Sequence, residues 1–327
     1  MIISSRGKRI GGKSLVMLVD KYGRPLTHMR ISVTLRCNHS CIFCHMEGIP
    51  ISQSSLNELS PKEYGLIAKA ASDLGIRYYK LTGGEPLIRN DIIDIVKVMR
   101  PYASSISLTT NGSLLSKYAE KLKEAGIDYI NVSLHSLRPE VFKFITKGDL
   151  NLILKGIKDA LNVGIKLKLD FLVLKFNENE FEDIINYASK YGLDINIIEL
   201  IPLGITINEW RDMHVGLNSI EKYLERIAVK KYIKEFQNRP TYVLPTGIKV
   251  TIVKGYANPD LCMRCTRIRL TPDGKLKLCI YRNDLYIDLK PALRMGDIGK
   301  IKELIIKANK LREPFFKRVS KREGDNG

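Results

Sequence analysis

Along residues 29 to 200 two periods of apolar residues alternate. Runs rich in β-branched and aromatic residues at 30–34, 77–82, 104–109, 128–134, 166–174 and 194–200 read as strands. Between them, apolar positions three and four apart predict helices over PKEYGLIAKAASDLG, DIIDIVKVMR, LLSKYAEKLKEAG, NLILKGIKDALNVG and ENEFEDIINYASKYG. Ser60 and Pro61 supply an N-cap and a first-turn proline for the first of these. Several of the stretches end in Gly, the residue that usually follows a helix C-terminus.

Six strands alternating with helices predict an α/β fold. Its parallel strands would form a partial (β/α)6 barrel of the TIM type, with ligands held at the C-terminal strand ends. After about residue 205 the alternation fades. VLPTGIKVTIV and RIRLTPDGKLKLCIY read as strands, the second a hairpin turned at Pro272-Asp273-Gly274. The expected division is a barrel core over residues 1–205 and a smaller region over 206–327 that closes the barrel mouth.

With 327 residues, 44% of them hydrophobic, the chain buries a large core without covalent staples. Its six cysteines form two triplets, Cys37, Cys41, Cys44 and Cys262, Cys265, Cys279. No signal-peptide pattern is seen, and no run approaches the roughly 20 apolar residues that cross a bilayer. The expectation is a cytoplasmic protein, not membrane-bound, whose thiols remain free to take metal. Fifty-three Lys and Arg against 35 Asp and Glu give a net charge of +18, which favours anionic partners. A solvated lysine-rich surface, including the KRVSKR tail, accounts for the larger share. No basic stripe with interleaved aromatics is evident, so nucleic acid is not expected.

CNHSCIFC follows the first predicted strand, GGEP the second and TNG the third, which gathers all three at one rim. Three thiolates are one short of the four that close a structural zinc or iron-sulfur site, so one metal position stays open. His39 or His45 could complete a zinc site instead. The second triplet, C-x2-C-x13-C, suits zinc as well as iron-sulfur, with His214 as a distant fourth ligand.

The C-x3-C-x2-C loop after strand one, Phe43 before its third cysteine and LTGGEP after strand two resemble the radical S-adenosylmethionine (SAM) superfamily. With DKYGRPLTHMRISVTLRCNHSCIFC, LTGGEPLIRND and CTRIRLTPDGKLKLC, the chain resembles the molybdenum cofactor biosynthesis protein A family, the GTP 3′,8-cyclases, over roughly residues 18 to 300. That resemblance implies two 4Fe-4S clusters, each held by one cysteine triplet. SAM chelates the open iron of the first, and the guanine of GTP binds the open iron of the second. It implies Phe43, Gly84 and Ser133 along SAM, and Arg30, Lys80, Thr109, Lys168 and the segment Arg267, Ile268, Arg269 along GTP. The implied reaction begins when a 5′-deoxyadenosyl radical takes hydrogen from the ribose 3′ carbon. That carbon then attacks carbon 8 of guanine, giving 3′,8-cyclo-7,8-dihydro-GTP. No side-chain nucleophile or base is nominated. A downstream pyranopterin-forming partner is implied, while the electron donor is not specified.

The chain also departs from the family pattern. Lys80 stands where an Arg is usual, Tyr78 where a Lys is usual, and Ile201 where a Met commonly lines SAM. The family's C-terminal Gly-Gly is replaced by an ending in REGDNG. Two other readings remain: a radical SAM maturase of peptides or haem, whose auxiliary regions carry more cysteines, and a non-catalytic cluster protein. SAM cleavage in reductant separates the enzymes from the binder, and GTP dependence separates the two enzymes.

Overall fold

The computed structural model describes residues 17–50 and 57–317, and the REGDNG ending lies outside them. Six parallel strands stand in chain order: β1 His28–Ser32, β2 Tyr78–Thr82, β3 Ser105–Thr110, β4 Tyr129–Ser133, β5 Leu167–Val173 and β6 Asp194–Glu199. Each lies within a few residues of the strand expected from the sequence. The helices that return the chain are α1 Pro61–Asp73, α2 Ile92–Met99, α3 Leu115–Glu124, α4 Pro139–Thr146, α5 Leu150–Asn162 and α6 Phe181–Tyr191. Ser60 caps α1 as expected, its backbone N–H and hydroxyl both bonded to Glu63 Oε2 at 2.7 and 2.8 Å.

The C-terminal part adds α7 Ile207–Met213, α8 Asn218–Ile227, β7 Lys230–Lys234, β8 Arg239–Val243, β9 Lys249–Val253, α9 Pro259–Met263, β10 Arg267–Leu270, β11 Lys275–Lys277, β12 Tyr286–Asp288, α10 Lys290–Met295 and α11 Ile298–Leu311. Its strands do not make a separate sheet. β9 lies parallel beside β6, and β10 lies parallel beside β1, so this part grips both edges of the six-stranded core. β7 and β8 continue antiparallel from β9, and β11 and β12 continue antiparallel from β10. The expected hairpin joins β10 to β11, with Thr271 donating its hydroxyl to Asp273 at 2.6 Å.

Period-two alternation decides what faces where. Met29 and Ile31, Tyr79 and Leu81, and Ile268 and Leu270 are buried in the core between sheet and helices. The residues between them, Arg30, Lys80, Arg267 and Arg269, turn the other way. The parallel register sets Arg30 beside both Lys80 and Arg269. The concave face of the sheet is therefore strongly basic. Among the described residues no helix is long and apolar enough to cross a membrane.

Candidate functional site

The loop carrying the first triplet is fixed from three sides. Ser40 and Ile42 donate backbone N–H groups to Thr146 and Ile145 at the end of α4, at 3.1 and 3.0 Å. Ile42 and Phe43 pack on a small apolar cluster that includes Leu172 and Leu200. Asn38 donates to Ser113 and accepts from Asn111, at 2.9 and 2.8 Å, which ties the cysteine loop to the TNG turn.

The LTGGEPLIRND segment after β2 presses on the chain leading into that loop. A Cβ on Gly83 would stand 2.2 Å from the Thr34 carbonyl oxygen, and one on Gly84 would stand 2.1 Å from that of Arg36. Both positions thus require glycine for packing alone. Glu85 staples the next two loops, accepting from Leu87 N–H and the Thr110 hydroxyl at 2.9 and 2.7 Å and from Asn111 N–H at 2.7 Å. Burial raises this carboxyl to about 7 even though those donors pull it down. Arg89, from the same segment, holds the Val33 and Leu59 carbonyls at 2.8 Å each and pairs with Asp91.

Both triplets open on one cavity of ≈ 360 Å³ at the C-terminal mouth of the parallel strands. Arg30, Phe43, Gly84, Thr109, Ser133, Arg267 and Arg269 line it with all six cysteines, as does Ile201. Three expected residues stand differently. Ile268 is fully buried in the core and does not line the cavity. Lys80 shares the concave face with Arg30 but does not line the cavity; it lies over the Tyr129 ring at 5.9 Å, within the field of Asp170, Arg30, Arg267 and Arg239. Lys168 likewise lies outside the cavity lining, near Asp194, Asp170 and Arg239. Tyr78 is 45% exposed and stacks on His28.

Four residues that the sequence reading did not nominate also shape the cavity. Glu47 accepts from Arg30 Nε and Nη2 at 2.8 and 2.6 Å, from Arg269 Nη1 at 2.5 Å and from the Thr82 hydroxyl at 3.0 Å. Burial alone would raise this carboxyl, but the two guanidinia hold it well below the usual carboxylate range. Glu47 and Met46 have φ of 54° and 47°, a left-handed region that costs a non-glycine residue about 1–2 kcal/mol. Gln237 and Asn238 form a second left-handed pair, with φ of 59° and 51°. That turn brings the Gln237 amide 3.9 Å from Cys265 Sγ and sends Arg239 into the cavity. Asp170 is the carboxylate amid these cations, accepting from Asn131 and Asn196 at 2.7 and 2.6 Å.

The positive charge is concentrated enough to depress its own members. Burial and neighbouring cations lower Lys80 to about 7, Lys234 to about 8 and Arg239 to about 10, and they hold Arg267 well below its ordinary value. Among the described residues Thr109 Oγ1 and Arg239 Nε are buried without a hydrogen-bond partner. Such atoms carry a desolvation cost that a ligand bearing anionic and hydroxyl groups would remove.

Each triplet offers three thiols to the cavity, a donor set that suits an iron-sulfur cluster. Among the described residues no three His, Cys, Asp or Glu groups converge closely enough to hold one metal ion, whereas a zinc site with bonds near 2.3 Å demands that convergence. The thiols of each triplet lie close enough to sense one another's charge. Of the three candidate histidines, His214 is engaged elsewhere, while His39 and His45 line the cavity, and His45 Nδ1 is buried without a hydrogen-bond partner among the described residues. His214 bonds Glu199 at 2.9 Å and stacks near Trp210. The His39 ring meets Phe142 edge-on.

A family model described as the radical SAM superfamily matches residues 31–188, and one described as Molybdenum Cofactor Synthesis C matches residues 193–317. A probable GTP 3′,8-cyclase of Metallosphaera sedula is 43% identical over 316 residues, covering 94% of this chain and 99% of that protein. Another, of Sulfurisphaera tokodaii, is 45% identical over 310 residues, covering 92% and 97%. Among solved structures, Streptococcus suis SuiB bound to S-adenosylmethionine superposes with a TM-score of 0.64 at 15% identity, covering 86% of this chain and 69% of that one. Native anSMEcpe with bound AdoMet gives 0.58 at 14% identity, covering 86% and 83%. At those identities the likeness is one of fold.

Proposed function

The chain belongs to the GTP 3′,8-cyclase family of radical SAM enzymes, and on that premise we propose how its residues divide the work. It converts GTP to 3′,8-cyclo-7,8-dihydro-GTP, the first step of molybdenum cofactor biosynthesis. Residues 1–205 form the radical SAM core, and residues 206–327 carry the second cluster and much of the substrate site. The observation that carries this assignment is the shared cavity, which both cysteine triplets line together with Arg30, Arg239, Arg267 and Arg269.

In this reading Cys37, Cys41 and Cys44 hold one 4Fe-4S cluster and Cys262, Cys265 and Cys279 the other. Bound at the open iron of the first cluster, SAM supplies the 5′-deoxyadenosyl radical that starts the reaction. Phe43, Gly84 and Ser133 line its berth. Gly84 acts there through the bare backbone, because the chain before Cys37 leaves no room for a side chain. Arg30, Arg267 and Arg269 present guanidinium forks suited to phosphate, ribose or base. Lys80 and Lys168 add positive charge near the cavity wall, and Thr109 offers an unpaired hydroxyl. Packing of Phe43 against His135, with ring centroids 5.0 Å apart, helps keep bulk water from the reacting centre. A cytoplasmic setting and a downstream pyranopterin-forming partner are part of the same proposal.

The test is anaerobic reconstitution followed by an assay with SAM, reductant and GTP. About eight irons per chain, four for each cluster, are expected. Deuterium placed at the GTP 3′ position should appear in 5′-deoxyadenosine. Stoichiometric zinc without iron uptake, or turnover without that transfer, would overturn the assignment.

A further inference from the structure

Glu47 stands three residues beyond the last cysteine of the first triplet, yet its carboxylate bonds Arg269, which lies between Cys265 and Cys279 of the second. It grips Arg30 on β1 through two nitrogens and Arg269 on β10 through one. Its neighbour Gly48 makes a separate contact just after Cys279. A Cβ built on Gly48 would stand 2.3 Å from the carbonyl oxygen of Ile280, the residue after Cys279. The chain after the first triplet therefore touches the second triplet's surroundings at two points, before and after Cys279.

The backbone is bent to achieve this, with Met46, Glu47 and Gly48 in succession at positive φ. An observed run of this kind in a buried loop calls for a reason in what it places. What it places is the Glu47 carboxylate, 6% exposed, between two guanidinia that would otherwise repel each other. The pair of arginines is thereby held at fixed spacing, with Arg30 anchored through both Nε and Nη2.

Resting on the cyclase reading above, we propose that Glu47 is a positioning residue that couples the two cluster regions. It aligns Arg30 and Arg269 for the nucleotide and transmits nucleotide occupancy to the loop that holds the SAM-binding cluster. A nucleotide engaging Arg269 changes the pull on Glu47, and Glu47 is continuous in the chain with Cys44. Substrate binding and SAM cleavage are thus linked through one carboxylate.

The test is a double-mutant cycle in GTP affinity, measured by equilibrium binding to the iron-loaded protein, with Glu47→Gln, Arg269→Lys and the double variant. Each single change should weaken GTP about tenfold, and the double should be no weaker than the worse single, because Glu47 acts through Arg269. The ratio of 5′-deoxyadenosine to cyclised product should rise several-fold in Glu47→Gln at saturating GTP. Should Glu47→Gln load less iron than the wild type, the cycle is repeated with Glu47→Asp, which keeps the charge and shortens its reach. Additive losses in the cycle, or wild-type affinity and coupling in the Glu47 variants, would overturn this inference while leaving the cyclase reading intact. A wild type that binds no GTP would instead overturn the cyclase reading.

Discussion

The two cysteine triplets each offer three thiols to the same cavity; burial raises five of the six, and Cys265 alone is lowered. Burial pushes the first set up, Cys41 to about 12, and the charges of Cys37 and Cys44 add to that rise. Cys37 and Cys44 are exposed residues, and the carboxylates of Glu85 and Glu47 add to the rise of their thiols. Around the second set stand Arg267, Arg269, Arg312 and Lys277. Burial alone would raise Cys265, yet Arg267 beside it lowers the thiol below its ordinary value. Arg312, 1% exposed, also donates to the Cys265 carbonyl at 2.7 Å. Carboxylates near the first set suit a sulfonium cation and cations near the second suit a nucleotide anion, in keeping with the division of roles proposed above.

The hardest test of that division is loss of a ligand on each side. Cys41→Ala should abolish SAM cleavage altogether. Cys265→Ala should keep some cleavage of SAM while cyclised product disappears, as read by chromatography of 5′-deoxyadenosine and the product. Equal loss of both activities in both variants would erase the distinction.

A smaller effect is expected at the arginines of the basic side. Arg267→Ala and Arg269→Ala should lower product formation roughly 100-fold, the scale of a misplacement of about 1 Å, with iron content and SAM binding retained.

Smaller again is a proton effect confined to the basic wall. Burial lowers Lys80 to about 7, with Asp170 offsetting only part of it, so the free protein sheds that proton near neutrality while an unfolded chain keeps it to about 10.5. The ligand-free protein should therefore gain stability as pH rises between those values, since the unfolded state binds more protons there. A polyphosphate restores the charge, so GTP binding at pH 8 should take up a proton, and affinity should weaken as pH rises above about 7. Calorimetry in buffers of different ionisation enthalpy reads the uptake, which should shrink in Lys80→Met.

The finest distinction concerns reduction. Nearby cations favour added negative charge, so the second cluster should reduce at a more positive potential than the first. Gln237→Leu should lower that second potential on the order of 20–40 mV, the one-electron equivalent of a hydrogen bond of ~0.5–1 kcal/mol. Redox titration followed by electron paramagnetic resonance resolves both.

Much of this was legible in the sequence where the signal is local. Strand period, the Ser60 cap and the Pro272-Asp273-Gly274 hairpin depend on neighbours a few residues apart, and all three formed as expected. The two cysteine triplets were visible for the same reason. Glu47 and Arg239 were not, because their importance comes from long-range register: β10 returns beside β1 to bring Arg269 to Glu47, and the β7–β8 turn carries Arg239 inward. Nothing near Gln237 announces a left-handed pair, since neither it nor Asn238 is glycine. Helix α11 was missed although Ile298, Ile301, Ile305 and Ala308 follow a helical period, because the fading βα rhythm drew attention to strands. Its partner is α1 at the other end of the chain, a pairing that no local window reveals.

The seating of β10 beside β1 also has a cost in time. Thr266 and His28, hydrogen-bonded across that junction at 2.9 Å, lie 238 residues apart along the chain. At roughly 5–20 residues per second of synthesis, one edge of the nascent sheet stays bare for on the order of tens of seconds before its neighbour exists. An open strand edge is a template for association with other chains, and such distant contacts form late. Fragments that end before Leu270 should therefore aggregate when expressed, and iron delivery to the second triplet must follow, not accompany, emergence of the first.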